Sequence, residues 1–200
     1  AELDEAQRMG DAEKQQQILI QSARVLQQGG AEFWLMACNT THQWAEELKV
    51  AIDLPFLHIA KATAEEIKKQ GLKRVVLTGT NYTMEQTFYK KALQEEGLEV
   101  QIPTKEERKE LVRIVDEELT HGRILSESLE RFWQLAELWQ QQGAEGIVLG
   151  CTEIGLLVQK PRLGMPIFDT ALLHAAKAVE LALGTEDLLK EWDYRQRREL

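Results

Sequence analysis

Cysteine is scarce in this sequence, since only Cys38 and Cys151 occur among its 200 residues. Two cysteines make a poor disulfide framework for a chain of this length. The opening stretch AELDEAQRMGDAEK has no apolar core of the kind that a signal peptide needs. Long apolar runs are also missing, and the run over 33–38 is far shorter than the roughly 20 residues that a bilayer crossing requires. These absences predict a cytoplasmic protein with no membrane partner.

Basic charge is in deficit as well. The chain has 24 Lys and Arg against 33 Asp and Glu, a net charge of -9, and no basic stripe offsets it. Such a surface repels phosphate backbones, so we expect no nucleic-acid partner. The phosphate loop GxxxxGK[ST] does not occur, which leaves a nucleotide-dependent enzyme without support. With 44% hydrophobic residues, the chain can bury one sizeable core or two small ones.

Strand and helix patterns alternate along the chain, which predicts an α/β fold with parallel sheets and helices on both faces. The predicted strands cover 31–37, 54–59, 73–79, 98–102, 146–149 and 166–168. The predicted helices cover 12–28, 41–50, 62–70, 83–96 and 170–183, with a short helix from Glu153, two long helices on either side of Gly122, and a charged amphipathic helix over 185–200. In the second long helix a stripe is predicted to face the core, formed by Leu125, Leu129, Phe132, Ala136 and Trp139.

The two cysteines lie in similar stretches, GGAEFWLMACNTTH over 29–42 and QGAEGIVLGCTEIG over 142–155. The likeness continues, because LPFLHIAKATAEEIKK follows the first stretch and MPIFDTALLHAAKAVE follows the second, at nearly the same offset. This duplication predicts two pseudo-symmetric halves. A strand, a Gly/Thr loop and a helix precede the repeat in the second half only. We therefore expect that the first half lacks an opening βα unit.

Each cysteine is predicted to end a parallel strand just before a helix, which is where open α/β sheets hold their ligands. The free backbone N–H groups at a helix start favour an anion and lower the pKa of a thiol. A pseudo-twofold axis would bring the two loops face to face across one cleft. One thiolate could then remove a proton from one face of a carbon while the other thiol delivers a proton to the opposite face.

The motifs CNTTH, GTNYTMEQTFY and GCTEIGLLV, in this order and spacing, resemble the aspartate/glutamate racemase family of cofactor-independent amino-acid racemases. The resemblance implies that Cys38 and Cys151 are the catalytic acid/base pair and that no cofactor or metal is needed. It also implies a set of substrate-binding residues, one of which lies in EAQRMG and faces the distal group of the substrate. To this set we add Glu153, which lies at the second helix start. The expected substrate-binding residues are Gln7, Asn39, Thr40, Thr80, Thr152 and Glu153.

The family fold implies two α/β domains, with the active site in the cleft between them and the chain crossing back at its end. We therefore expect a first domain over 1–54 plus 167–200 and a second over 55–166. The expected partner is a small amino-acid substrate, aspartate or glutamate, and the expected assembly is a homodimer. Some family members that act on acidic substrates have a Lys near Thr120, where this chain reads ELTHG, so the contact to the distal carboxylate is open.

Other interpretations fit parts of the pattern. A decarboxylase or cis–trans isomerase of small acids needs only one reactive thiol, and an amino-acid-binding remnant needs none. The hydroxyl and amide side chains after the cysteines could simply be helix caps. Equivalent positions in the repeat hold His58, interpreted as a satisfied core histidine, and Asp169, interpreted as an N-cap. His42 could join the two cysteines as a third zinc ligand.

Overall fold

The computed structural model describes residues 2–184. The amphipathic helix predicted over 185–200 lies outside the described residues. The helices and strands follow the predicted alternation, and their bounds are α1 (Glu2–Arg8), α2 (Ala12–Gln28), β1 (Trp34–Leu35), α3 (Ala45–Ala51), β2 (Phe56–Leu57), α4 (Ile59–Lys69), β3 (Arg74–Gly79), α5 (Asn81–Glu85), α6 (Thr87–Glu95), β4 (Glu99–Gln101), α7 (Lys105–Arg113), α8 (Ser126–Gln141), β5 (Gly146–Gly150), α9 (Ile154–Leu157), β6 (Ile167–Asp169) and α10 (Thr170–Leu183).

The strands form two sheets, and every pair in them is parallel. The larger sheet has four strands in the order β4-β3-β5-β6, and the smaller one pairs β1 with β2. Helices pack on the larger sheet from both sides, which gives it two separate hydrophobic cores. The predicted α/β fold with parallel sheets is therefore confirmed. Within residues 2–184, no helix has both the length and the apolar character to cross a membrane.

The predicted duplication is visible in the strand pairing. β1 pairs with β2 in the small sheet, and β5 pairs with β6 in the large one, so the two cysteine-bearing strands have equivalent neighbours. The strand β2 leads into α4, which packs against the core of the large sheet. The strand β6 leads into α10, whose Leu181 packs against Leu57 of the small sheet. The chain thus crosses from one sheet to the other after β2 and again after β6.

This double crossing bears on the domain division. The predicted boundaries, 1–54 plus 167–200 against 55–166, place each crossing just before a strand. The pairing of β2 with β1 and of β6 with β5 favours crossings one strand later, at the starts of α4 and α10. The division itself stays a prediction.

Helix α2 spans the 12–28 range predicted for it, because Asp11 accepts a hydrogen bond from the backbone N–H of Lys14 and so caps the first turn. The single helix predicted over 83–96 is wrong. It is interrupted at Gln86, which is extended (φ -67°, ψ 156°) and separates α5 from α6. This break turns α5 into a short helix that follows the loop at the end of β3.

The long helix predicted before Gly122 keeps α-helical geometry only as far as Arg113. It runs as α7 and then continues through a π-helical turn (Ile114–Glu118) and a 3-10 turn (Leu119–His121), which stop at Gly122 in the left-handed region (φ 70°). In α8 the predicted stripe is buried at Phe132, Ala136 and Trp139 but not at Leu125, which is 41% exposed. Leu125 is extended and precedes the first turn of α8, so its side chain does not share the helix face.

The carboxyl ends of β3 and β5 approach each other closely. Gly79 pairs with Gly150, and a Cβ on Gly150 would lie 2.5 Å from the carbonyl oxygen of Thr78. A side chain has no space there, because the obstacle is backbone of a central strand. These two glycines therefore allow the loops that follow β3 and β5 to start side by side.

We expect Gly150→Ala to lower the free energy of unfolding by about 2 kcal/mol or more, since the added methyl group must displace strand backbone. Gly29→Ala is the matched control, because Gly29 has a helical φ of -74° and stands at the end of α2. The nearest obstacle there is 3.3 Å away, at a helix end that can adjust. Chemical denaturation of both variants measures the difference. Equal stabilities would show that the close approach of β3 and β5 is not a constraint.

Candidate active site

The two cysteines lie at equivalent points of the repeat but in different surroundings. Cys38 follows β1 and is exposed, whereas Cys151 directly follows β5 and is buried. Thr80 directly follows β3, the strand that pairs with β5. The carboxyl ends of neighbouring parallel strands therefore carry two of the predicted site residues, Thr80 and Cys151.

The loop after Cys38 is folded back onto that residue's carbonyl oxygen. The Thr41 hydroxyl donates to it at 2.8 Å, and Nδ1 of His42 bonds to it at 2.9 Å. Nε2 of His42 accepts a hydrogen bond from the backbone N–H of Ile59. A ring that donates through Nδ1 and accepts through Nε2 is neutral. Burial, which the bond to Cys38 only partly offsets, lowers the pKa of His42 to about 3.

The zinc interpretation of His42 has no geometric support. Both of its ring nitrogens are occupied by backbone groups, at Cys38 and Ile59. Across residues 2–184, no group of three or more His, Cys, Asp and Glu side chains is arranged to hold a metal ion.

The residues that follow Cys38 make contacts with distant segments. Nδ2 of Asn39 donates to Oγ1 of Thr170 at 3.0 Å. The other amide atom, Oδ1 of Asn39, is buried without a hydrogen-bond partner. The hydroxyl oxygens of Thr40 and Thr80 are 3.5 Å apart. The structure therefore brings Asn39, Thr40 and Thr80 to one place where the two halves of the chain meet.

Capping bonds distinguish the hydroxyl residue that follows β3 from the residues that follow the cysteines. Thr80 is a cap, because its Oγ1 accepts from the backbone N–H of Thr83. Asn39 makes no side-chain capping bond. Thr152 donates its hydroxyl to Oε2 of Glu153 instead. The cap interpretation is therefore wrong for Asn39 and Thr152.

Cys151 and Glu153 form a hydrogen-bonded pair. Sγ of Cys151 donates to Oε2 of Glu153 at 2.9 Å. Burial, followed by this bond and the carboxylate charge, raises the pKa of Cys151 to about 12. This direction is opposite to the sequence prediction, in which the helix start lowers the pKa of this thiol. The N–H groups of Glu153 and Ile154 do act in that direction, but burial and the neighbouring carboxylate outweigh them.

The Glu153 carboxyl group is ionised in this pair. Its partial burial opposes ionisation, but the hydrogen bonds from Cys151 and Thr152 outweigh that effect and hold the pKa of Glu153 below its usual value. The second cysteine loop thus presents a protonated thiol bonded to a carboxylate.

Gln7 stands apart from the other predicted site residues. It lies on α1, which packs against α2, and its side chain is half-buried. In the part of the chain that the structure describes, no side-chain hydrogen bond joins Gln7 to the cysteine loops. Its predicted role at the distal group of a substrate stays a prediction.

The interpretations of Asp169 and His58 are confirmed. Asp169 caps α10 by accepting from the backbone N–H groups of Ala171 and Leu172. His58 is buried and accepts from the N–H of Ala60, which caps α4.

Sequence reasoning missed His174 and Thr170. Nε2 of His174 bonds to the carbonyl oxygen of Leu57, which ties α10 to β2. Oγ1 of Thr170 donates to the carbonyl oxygen of Leu149. The only available signal was the repeat itself, which aligns the segment around Asp169 with the one around His58. Both segments prove to be the points where the chain crosses between the sheets.

The fold is a parallel α/β fold with a cysteine loop in each half of the repeat, and comparison with known proteins identifies its family. The family model described as Asp/Glu/Hydantoin racemase matches residues 3–178, so the chain belongs to that family. A crystal structure of a candidate Asp/Glu racemase from Yersinia pestis is 40% identical, with a TM-score of 0.86, and the match covers 92% of this chain and 80% of that one.

An aspartate racemase homologue from Pyrococcus horikoshii OT3 is 39% identical with a TM-score of 0.80, and the match covers 86% of this chain and 76% of that one. A broad specificity amino-acid racemase from Bacillus subtilis is 28% identical over 178 residues, which is 89% of this chain and 77% of the relative. A variant of arylmalonate decarboxylase is similar at 20% identity with a TM-score of 0.54, over 84% of this chain and 74% of that one, and shares the fold alone. The family assignment makes the chain an isomerase-family protein.

The low pKa of His42 predicts acid sensitivity. The unfolded chain binds a proton at this imidazole below about pH 6.5, whereas the folded protein does so only near pH 3, so stability is full above pH 6.5 and falls as the pH drops through that window. Between pH 7 and pH 5, protonation of this group in the unfolded chain should lower the free energy of unfolding by about 2 kcal/mol. We expect the free energy of unfolding of His42→Gln to fall by about 2 kcal/mol less between pH 7 and pH 5 than that of the unmodified protein. Urea unfolding at both pH values measures the difference.

Thr63→Val controls for a simple loss of stability, because Thr63 is fully buried and does not titrate. Its stability should fall with pH as steeply as that of the unmodified protein. If His42→Gln also keeps the full pH dependence, His42 must already be protonated in the folded state at pH 5.

The carboxylate next to Cys151 leads to a second expectation. Glu153→Gln removes the negative charge that opposes thiolate formation, so Cys151 should react faster with iodoacetamide at pH 9, by about tenfold for each unit by which its pKa falls. Mass spectrometry of the peptides measures both cysteines separately, and exposed Cys38 should react equally in the two proteins. Glu130→Gln, at an exposed ion pair with Arg162, is the control. An unchanged or slower reaction of Cys151 in Glu153→Gln would refute the electrostatic role of Glu153.

Proposed function

We propose that the protein is a cofactor-independent amino-acid racemase that inverts the α-carbon of aspartate or glutamate with Cys38 and Cys151 as its two bases. The observation that carries the proposal is the equivalent placement of the cysteines, each following the first strand of a parallel pair in its half of the repeat. Membership of the Asp/Glu/Hydantoin racemase family supports the reaction type. We also propose a homodimer, with the site in the cleft between domains 1–54 plus 167–200 and 55–166.

The different surroundings of the two thiols suggest how the proton moves. In one direction the Cys38 thiolate removes the α-proton from one face and becomes a thiol. The Cys151 thiol delivers its own proton to the opposite face and becomes a thiolate, so the substrate is inverted without net change in protons. In the other direction the roles reverse. A thiol with a pKa of about 12 starts the first direction in the protonated form that this step requires.

In this proposal, Glu153 influences the protonation of Cys151. Its carboxylate accepts the hydrogen bond of the thiol, and the S–H group turns from Glu153 towards the α-carbon to deliver its proton. When Cys151 has to act as the base, the same carboxylate opposes the thiolate, which makes that thiolate a stronger proton acceptor. Glu153 therefore supports Cys151 in addition to its proposed place among the substrate-binding residues.

The hydroxyl groups beside the cysteines are suited to the α-carboxylate. A carboxylate opposes the development of negative charge on the neighbouring carbon, so hydrogen-bond donors aimed at it lower the barrier. Thr40 and Thr80 are within 3.5 Å of each other and come from the two cysteine-bearing halves. A carboxylate that bridges them would be held between both halves of the molecule, with Asn39 and Thr152 next to it.

Selectivity at the far end of the substrate is expected to be modest. Strong preference for a second carboxylate requires a dedicated donor, ideally Arg or Lys. The proposed substrate-binding residues contain neither, and the residue assigned to the distal group is the neutral Gln7. We therefore expect aspartate and glutamate to be turned over alongside their amides.

The test is racemisation of L- and D-aspartate and glutamate, followed by chiral chromatography, in the unmodified protein and in Cys38→Ser and Cys151→Ser. Each substitution should lower kcat by at least about a thousandfold, because a serine hydroxyl is a far weaker acid than a thiol. Each variant can still exchange the α-proton of one enantiomer with deuterium, since one thiol remains. Asparagine and glutamine are measured in parallel, and thermal unfolding confirms that the variants fold.

The outcomes separate the alternatives. Retained racemisation in both variants would refute the two-cysteine mechanism. Loss in only one variant, together with CO2 release from a substituted malonate, would identify a one-cysteine decarboxylase. Binding of an amino acid without any turnover would identify a binding protein. A preference for the acids over their amides beyond about a thousandfold, ~4 kcal/mol, would require a charge partner and contradict the expected selectivity.

A further inference from the structure

A chain of two hydrogen bonds joins the segments that carry the cysteines. Nδ2 of Asn39 donates to Oγ1 of Thr170 at 3.0 Å, and that hydroxyl donates in turn to the carbonyl oxygen of Leu149 at 2.8 Å. Asn39 is 3% exposed and Thr170 is fully buried, so water does not compete for these bonds. Asn39 follows Cys38 directly, and Leu149 lies two residues before Cys151. A single hydroxyl thus lies between the two cysteine-bearing segments.

The position of Thr170 in the fold fixes this hydroxyl firmly. It is the first residue of α10, where the chain crosses from the large sheet to the small one. The preceding residue, Asp169, pairs with Leu149 in the sheet and also caps the helix. The strand pairing and the helix cap therefore fix the backbone at Thr170, and its side chain holds the loop after β1 in place.

The chemistry of the side chain is specific. A hydroxyl can donate one hydrogen bond while it accepts another, and Thr170 does both. Valine has nearly the same shape but can do neither, and serine can do both. The Asn39 amide also depends on this bond for its orientation, because its other atom, Oδ1, has no partner.

We propose that Thr170 is a positioning residue that sets the separation of the two cysteine loops. This inference rests on the proposed function, since two bases on opposite faces of one carbon require a fixed separation. A displacement of about 1 Å in a catalytic group can cost about a hundredfold in rate. Thr170 does not contact the reacting atoms in this proposal. It acts through Asn39 on one loop and through Leu149 on the other.

The experiment compares Thr170→Val, Thr170→Ser and the control Thr63→Val. Thr63 is also fully buried and donates its hydroxyl to a backbone carbonyl, that of Ile59 at 2.8 Å, within α4. Thr63 and Thr170 both lie beside the Tyr89 hydroxyl, so Thr63→Val matches the loss of that neighbour while it leaves the bonds to Asn39 and Leu149 intact. We expect Thr170→Val to lower kcat for racemisation by about tenfold to a hundredfold with a much smaller change in KM. Thr170→Ser should restore kcat to within about threefold, because it keeps both hydrogen bonds. Thr63→Val should keep the kcat of the unmodified protein.

A second measurement is independent of activity. Hydrogen exchange of the peptides that contain residues 38–42 and 149–152 should be at least about fivefold faster in Thr170→Val than in Thr63→Val, since a buried bond is lost in each segment. If the unmodified protein does not racemise amino acids but this exchange increases, the proposed function is wrong and the coupling stands. If exchange in both peptides is unchanged, or if Thr170→Ser is as slow as Thr170→Val, Thr170 does not position the loops.

Discussion

The parallel pairing of β3 with β5 is the contact on which the candidate site depends. The two strands approach so closely at Gly79 and Gly150 that neither position tolerates a side chain. Because of this approach, Thr80 and Cys151 leave the sheet as neighbours. The first cysteine loop then reaches the same place through Thr40, which meets Thr80, and through Asn39. A wider separation of β3 and β5 would move the three loops apart, whatever their own sequences.

Burial and charge give the two thiols different chemistry despite their equivalent positions in the repeat. Cys151 lies in a poorly solvated place beside a carboxylate, and both conditions favour its protonated form. Cys38 is exposed, and its loop carries a neutral histidine in place of an acidic residue. The repeat therefore supplies two similar backbones, and the residues just after each cysteine make them different.

The features that could be predicted from sequence are those with local causes. The starts of α2 and α10 follow from the caps Asp11 and Asp169, whose side chains bond to N–H groups within three residues. The alternation of strands and helices, and the repeat around the cysteines, were sufficient for the parallel α/β fold. They also placed Cys151 correctly at the end of a strand, whereas β1 ends at Leu35, three residues before Cys38.

The features that sequence reasoning missed depend on contacts between distant segments. The raised pKa of Cys151 comes from its burial, which no local pattern displays. The bond from Asn39 to Thr170 joins residues that are 131 positions apart. The break at Gln86 separates two helical stretches whose composition is continuous. Tertiary packing decided each of these, so periodicity and capping rules alone were not sufficient.

The exchange of helices between the two sheets has a consequence for biosynthesis. The small sheet forms near the start of the chain, but its Leu57 is covered by Leu181 of α10, near the end of the described residues. A ribosome makes about 5–20 residues per second, so α10, which covers the small sheet, is synthesised many seconds after β1 and β2. Contacts between such distant residues also form slowly. The first cysteine loop can therefore reach its final structure only after α10 has been translated.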